Sequence, residues 1–142
     1  MCYNKMTKKS QYGFTLVELL IVMIILGLLA ALAGPRLIQK VGSSKVKAAQ
    51  TQISLFETAL DAYRLDVGSY PTTEQGLEAL NEDPGTTGWD GPYLSKDIPS
   101  DPWNNPYEYR RLQDQGEFEI ISLGADGEPG GEGENSDLGN RS

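Results

Sequence analysis

Gly13-Phe14-Thr15-Leu16-Val17-Glu18 opens an apolar run that continues to Gly34-Pro35-Arg36. A carboxylate five residues into a membrane-length apolar segment is expensive, about 2.5 to 3.5 kcal/mol at a bilayer centre on insertion scales. Its presence therefore asks for a purpose. The preceding residues carry Lys5, Lys8 and Lys9 and no acid, which predicts that this leader stays on the cytoplasmic side while the rest is inserted. Two simpler readings compete. Ala31-Leu32-Ala33 is an acceptable small-x-small cleavage site for a secretory signal, and an uncut signal anchor has the same hydropathy. Neither accounts for Gly13-Phe14 or for Glu18.

The 142 residues leave room for one domain, with about a hundred residues after Ser44 for a water-soluble part. The formal charge of -8 is unevenly spread. From Asp61 onward 18 acids face only Arg64, Lys96, Arg110, Arg111 and Arg141. That balance argues against nucleic-acid binding, which needs basic patches to neutralise phosphates. There is no histidine, and the single Cys2 lies in the leader. Zinc sites, disulfides and the usual nucleophile-base pairs are thus not offered, and no carboxylate or serine constellation suggests an enzyme.

From Phe14 to about Val67 the pattern predicts one long helix, apolar all round at first and amphipathic after Pro35. Ile53, Phe56, Leu60, Tyr63 and Val67 recur at threes and fours, a face that covers a globular core. About fifty residues at 1.5 Å each reach about 75 Å, more than twice a bilayer's apolar thickness. Gly34-Pro35 is expected to interrupt this helix, since proline removes a donor and crowds the preceding turn; Gly42-Ser43-Ser44 is a second expected weak point. Thr73 to Leu80 predicts a short helix capped by Thr72 or Thr73, with Leu77 and Leu80 inward. Glu82 to Pro106 holds five prolines and reads as loop. Tyr107–Leu112 and Glu117–Ser122 alternate as strands around a hairpin turn at Gln113-Asp114-Gln115-Gly116.

Asp126, Glu128, Glu132, Glu134, Asn135, Ser136 and Asp137 place hard oxygen ligands among glycines that let the backbone fold round an ion. Composition serves a solvated acidic tail equally well, and the spacing is no EF-hand. Tyr63, Tyr70, Tyr93, Trp103 and Tyr107 are read as core or loop anchors rather than a ligand site. Asp66 and Asp101 stand beside turns, where a side-chain oxygen normally accepts from backbone donors.

Taken together, these residues resemble the major pseudopilins of type II secretion systems, within the wider type IV pilin-like class. The start Gly13-Phe14-Thr15-Leu16-Val17-Glu18 marks only that class. The specific pieces are Tyr63 through Leu77, Gly91-Pro92-Tyr93-Leu94, Asp101-Pro102-Trp103-Asn104-Asn105-Pro106-Tyr107 and Ser122-Leu123-Gly124-Ala125-Asp126-Gly127. Asn104 stands where the family usually has glycine. The chain also ends soon after Asn140, where relatives tend to carry an aromatic residue, which leaves the packing of the last residues open.

The resemblance implies an α+β, pilin-like fold: a long N-terminal helix packed on a small C-terminal domain with a short antiparallel sheet and a metal-binding loop. It implies a leader over 1–13, an assembly and transmembrane half over 14–35, and a periplasmic domain over 36–142. A prepilin peptidase would cut between Gly13 and Phe14 and methylate Phe14, leaving Glu18 as fifth residue, with Glu18 and Pro35 serving assembly. Calcium is the implied cofactor, held by Leu123, Asp126, Glu128, Glu134, Ser136 and Asp137. The implied function is a structural subunit, not an enzyme, held in the inner membrane and polymerised into a periplasmic filament that moves folded proteins outward. Its partners would be further copies of itself, minor pseudopilins, the inner-membrane secretion platform and, before assembly, lipid. A type IV pilin of an adhesion, motility or DNA-uptake filament is the alternative, and a membrane-anchored ligand-binding domain the more distant one.

Overall fold

The computed structural model describes residues 13–113 and 116–141. The expected leader up to residue 12, and Asp114 and Gln115 of the expected hairpin turn, lie outside the described residues. The described chain falls into two compact units, one ending at Gln39 and the other running from Lys40 onward.

Helix α1, Leu16–Val67, belongs to both units and is 52 residues long. The helix continues through both expected weak points, Gly34-Pro35 and Gly42, with Pro35 inside it. A single proline withholds one donor and leaves every other bond of the ladder intact. Gly42 is the first buried residue of α1, so contacts outside the helix make good its poor propensity. From Leu16 to Ala33 every residue is exposed, and this part of α1 is long and apolar enough to cross a membrane by length and composition.

In the second unit, Ile53, Phe56, Leu60 and Tyr63 are buried, with Val67 packed against them, as their spacing requires. Removing a side chain such as Phe56 from this position costs about 3 to 5 kcal/mol. A further stripe, Ser44, Ala48, Thr51, Leu55, Thr58, Ala62 and Leu65, also recurs at fours and threes, with the exposed Lys47, Asp61 and Arg64 beside it. Its hydroxyls turn back onto their own helix: Ser44, Thr51 and Thr58 donate to the carbonyls of Lys40, Lys47 and Ser54 at 2.9, 2.9 and 3.0 Å.

The short helix expected over Thr73–Leu80 is instead a turn followed by a 3-10 helix, Leu77–Leu80. Gly76, at φ 62° and ψ -165°, is outside the helical region and prevents a regular α start. Thr72 nevertheless caps the turn: Gln75 N donates to its Oγ1 at 3.2 Å and its own N donates to Gln75 Oε1 at 2.9 Å. Leu77 and Leu80 are buried as expected.

Strands β1, Glu108–Leu112, and β2, Glu117–Ser122, pair antiparallel with Tyr109 opposite Ile120. Their buried Tyr109, Phe118 and Ile120 close over the helix core. A third strand, β3, Leu138–Gly139, pairs antiparallel with β2 and completes the order β1-β2-β3. The end of the chain is fastened by Asn140, whose Oδ1 accepts from Ile120 N at 2.9 Å and whose Nδ2 donates to Phe118 O at 3.2 Å. A side-chain amide thus ties the residues after β3 to β2.

Candidate functional site

Two regions carry the chemistry. At the start of α1, Thr15 and Glu18 form a reciprocal pair. Glu18 Oε2 accepts from Thr15 N at 3.0 Å and from Thr15 Oγ1 at 3.3 Å, while Thr15 Oγ1 accepts from Glu18 N at 3.2 Å. This is a capping box, in which each side chain occupies a backbone donor left over by the helix start. The pattern Thr15-x-x-Glu18 is visible in the sequence, yet a reading by charge alone treats Glu18 as pure cost. Phe14 precedes the box and is exposed, and a Cβ on Gly13 would meet open space. Pro35, the twentieth residue of α1, is exposed, and Gly34 before it is half-buried.

The second region is the acidic loop after β2. Leu123 is half-buried, and Gly124, at φ 70°, turns the chain so closely that a Cβ there would stand 2.7 Å from the Glu134 carbonyl. Asp126 is exposed and its Oδ1 accepts from Glu128 N at 3.1 Å; Glu128 is exposed too. Ser136 Oγ donates to Gly133 O at 2.8 Å, within the turn around a 3-10 helix, Gly133–Asn135. Asp137 Oδ2 accepts from Gly130 N at 2.9 Å, and its Oδ1 is buried with no hydrogen-bond partner. Glu134 points away from these groups: its Oε2 lies 3.4 Å from Trp103 Nε1. Among the described residues no three acidic side chains converge.

The loop rests on a turn whose role the sequence reading limits to local bonding. Asp101 is almost fully buried and accepts from Trp103 N at 3.0 Å and Asn105 N at 2.8 Å through Oδ1. Those contacts are the expected ones. Its other oxygen accepts from Ser122 Oγ at 2.6 Å, which ties the turn to the end of β2. Asn105 then donates from Nδ2 to Gly124 O at 2.9 Å. Asn104 takes φ 69°, the left-handed conformation that asparagine tolerates best after glycine. The signal that would have found this platform is the acid-to-loop distance in space, which sequence spacing does not carry.

The aromatic residues serve as anchors. Phe56 meets Tyr107 edge-on at 5.1 Å between centroids, and Tyr63 meets Tyr93 at 5.6 Å. Burial, helped by the Asp101 carboxylate, pushes the Tyr107 hydroxyl up to about 12. Burial likewise raises Tyr109, whose hydroxyl donates to Pro71 O at 2.8 Å.

Two family models match the chain. One, described as type II secretion system protein G, covers residues 36–141; the other, the prokaryotic N-terminal methylation motif, covers residues 8–34. The type II secretion system core protein G of Pseudomonas aeruginosa is 45% identical over 141 residues, spanning 95% of this chain and 98% of that one. That of Vibrio cholerae is 44% identical over 137 residues, spanning 93% and 92%. The crystal structure of the major pseudopilin from the type 2 secretion system of enterohaemorrhagic Escherichia coli superposes with a TM-score of 0.61 at 32% identity. That match covers 75% of this chain and 94% of that one. Matched by a methylation motif at one end, by the protein G model over the rest and by relatives along nearly their whole length, the chain belongs to the type II secretion system protein G family, the major pseudopilins.

Proposed function

We propose that this chain is the structural subunit of a periplasmic pseudopilus, polymerising to drive export of folded proteins across the outer membrane. The observation that carries this is the first half of α1, in which every residue from Leu16 to Ala33 is exposed although nearly all are apolar. Such a surface is stable only in lipid or against other apolar helices. The subunit is therefore held in the inner membrane before assembly, with its second unit in the periplasm, and buries the same helix against further copies afterwards. Processing by a prepilin peptidase after Gly13 and methylation of Phe14 set the start of that helix. Glu18 and Pro35 serve assembly, and the secretion platform and minor pseudopilins complete the partner set. Nothing in this role requires catalysis or nucleic acid, and relatives named for the type II secretion system favour it over a type IV pilin.

The test is mass spectrometry of membrane-extracted protein together with electron microscopy of sheared filaments. A terminus at a methylated Phe14, filaments in the wild type and loss of secreted proteins in a knockout are the expected results. An uncut Met1 or secretion unchanged by the knockout overturns the reading.

The proposal includes a calcium ion in the loop from Leu123 to Asp137, held by oxygens of Leu123, Asp126, Glu128, Ser136 and Asp137. Glu134, also in the expected set, has its carboxylate beside Trp103 and Gly42. Support comes from the donor chemistry, which suits a hard cation, and from the buried Asp137 Oδ1, an acceptor without a donor whose desolvation is otherwise uncompensated. When bound, such an ion supplies positive charge that offsets repulsion among the loop's carboxylates.

A further inference from the structure

Glu134 sits at an unusual junction. Its backbone carbonyl accepts from Ala125 N at 2.8 Å, closing the loop on itself. Its side chain leaves the loop and lies on α1 at Gly42, where a Cβ would overlap the carboxylate, with Cγ only 2.9 Å away. Trp103 Nε1 approaches the same carboxylate at 3.4 Å, and the turn that carries Trp103 is fixed by buried Asp101. Gly42, which a propensity argument marks as a weak point of the helix, is on this geometry a seat: only a residue without a side chain leaves room for the carboxylate.

We propose that Glu134 is a clasp that ties the acidic loop to the middle of α1 at Gly42, guided by the Trp103 indole, so that loop and helix gain order together. Glu134 and Trp103 are then positioning residues. They touch no ion themselves, and they carry the state of a loop near the end of the sequence to a helix segment some ninety residues earlier. The link to calcium rests on the reading above; the clasp does not.

The test is hydrogen exchange of the full chain in detergent, comparing the loop amides of residues 124–136 with the helix amides of residues 42–46, first with chelator present. Gly42→Ala raises intrinsic helix propensity, so a purely local role predicts slower helix exchange and no change in the loop. The clasp predicts the reverse for the loop: Gly42→Ala evicts the carboxylate, and loop amides exchange roughly tenfold faster, the size of one lost hydrogen bond to a charged group. In a Glu134→Ala background, Gly42→Ala then adds nothing, while Glu134→Gln, which keeps an acceptor of the same shape, retains most of the protection. If the Gly42 variant does not fold, the pair Trp103→Phe and Glu134→Ala gives the same cycle. Additive effects, or loop exchange unchanged by Gly42→Ala or by Trp103→Phe, overturn the clasp.

A second arm adds calcium. The clasp predicts that calcium slows both the loop and the amides of residues 42–46 in the wild type, but only the loop in Glu134→Ala. Slowing confined to the loop in the wild type overturns the coupling. No slowing anywhere in the wild type overturns the calcium reading alone, because the chelator arm decides the clasp without it.

Discussion

Asn104 and Tyr107 show how far single residues can be read. Asn104 stands at φ 69°, a conformation that costs most side chains about 1 to 2 kcal/mol. Asn104→Ala should lower stability by about 1 kcal/mol while Asn104→Gly leaves it nearly unchanged, both measurable by urea denaturation of the full chain in detergent. This position is legible in the sequence because the residue type itself names the backbone state. Tyr107 is legible only as an aromatic anchor; its proton affinity depends on burial and on Asp101, which only the fold brings near. Its folded state holds the proton up to about pH 12, whereas the unfolded hydroxyl gives it up near its ordinary value of 10.0. The unfolded state therefore binds fewer protons in that window. The contribution of this hydroxyl to stability is constant below about pH 9 and falls as pH rises between about 10 and 12. Tyr107→Phe should flatten part of this alkaline fall and leave stability at pH 8 little changed; an identical pH profile for the variant would show that the hydroxyl is not the group responsible.

At the scale of elements, α1 separates capping from charge. Glu18 both completes the box with Thr15 and brings a carboxylate to the start of an apolar helix. Glutamine also completes a capping box, so Glu18→Gln should keep the first turn of α1 protected from exchange, whereas Glu18→Ala should lose about 1 kcal/mol of local stability there. If the charge is what assembly requires, both variants insert and are processed but neither forms filaments. Filaments from Glu18→Gln alone would assign the role to the cap. The core face of α1 and the hairpin strands are legible because a period of three to four, or of two, survives in composition. Three elements are not. The helix runs through Pro35 and Gly42, where local propensity says stop and tertiary contacts or an otherwise intact ladder say continue. Thr73–Leu80 loses its first turn to the backbone of Gly76. Strand β3 is two residues long, too short to leave a pattern, and exists because Asn140 and β2 hold it.

For the whole molecule, the proposed calcium ion makes a prediction about stability. With calcium at a hundredfold excess over its dissociation constant, binding adds about 2.7 kcal/mol by mass action, which for a domain of about a hundred residues corresponds to a rise in Tm of roughly 10 °C or more. Chelation should remove that rise, and Asp137→Asn, which places an amide where the buried oxygen lacks a partner, should weaken the response. Thermal melts that coincide with calcium and with chelator would leave the loop as a self-bonded acidic turn. The loop's oxygens were legible in the sequence as a set; which of them face one another was not, since glycine-rich backbone between Gly124 and Gly133 takes positive φ at five positions and each choice redirects the residues after it.

The returning hydroxyls of Ser44, Thr51 and Thr58 have one more consequence. A hydroxyl whose proton is already donated to its own helix keeps its acceptor lone pairs but has no donor left for a neighbour, so at these three positions the helix can be addressed only by a group that brings its own proton. Threonine and serine there present methyl, methylene and an acceptor oxygen, a surface on which a packing neighbour strips no donor from water.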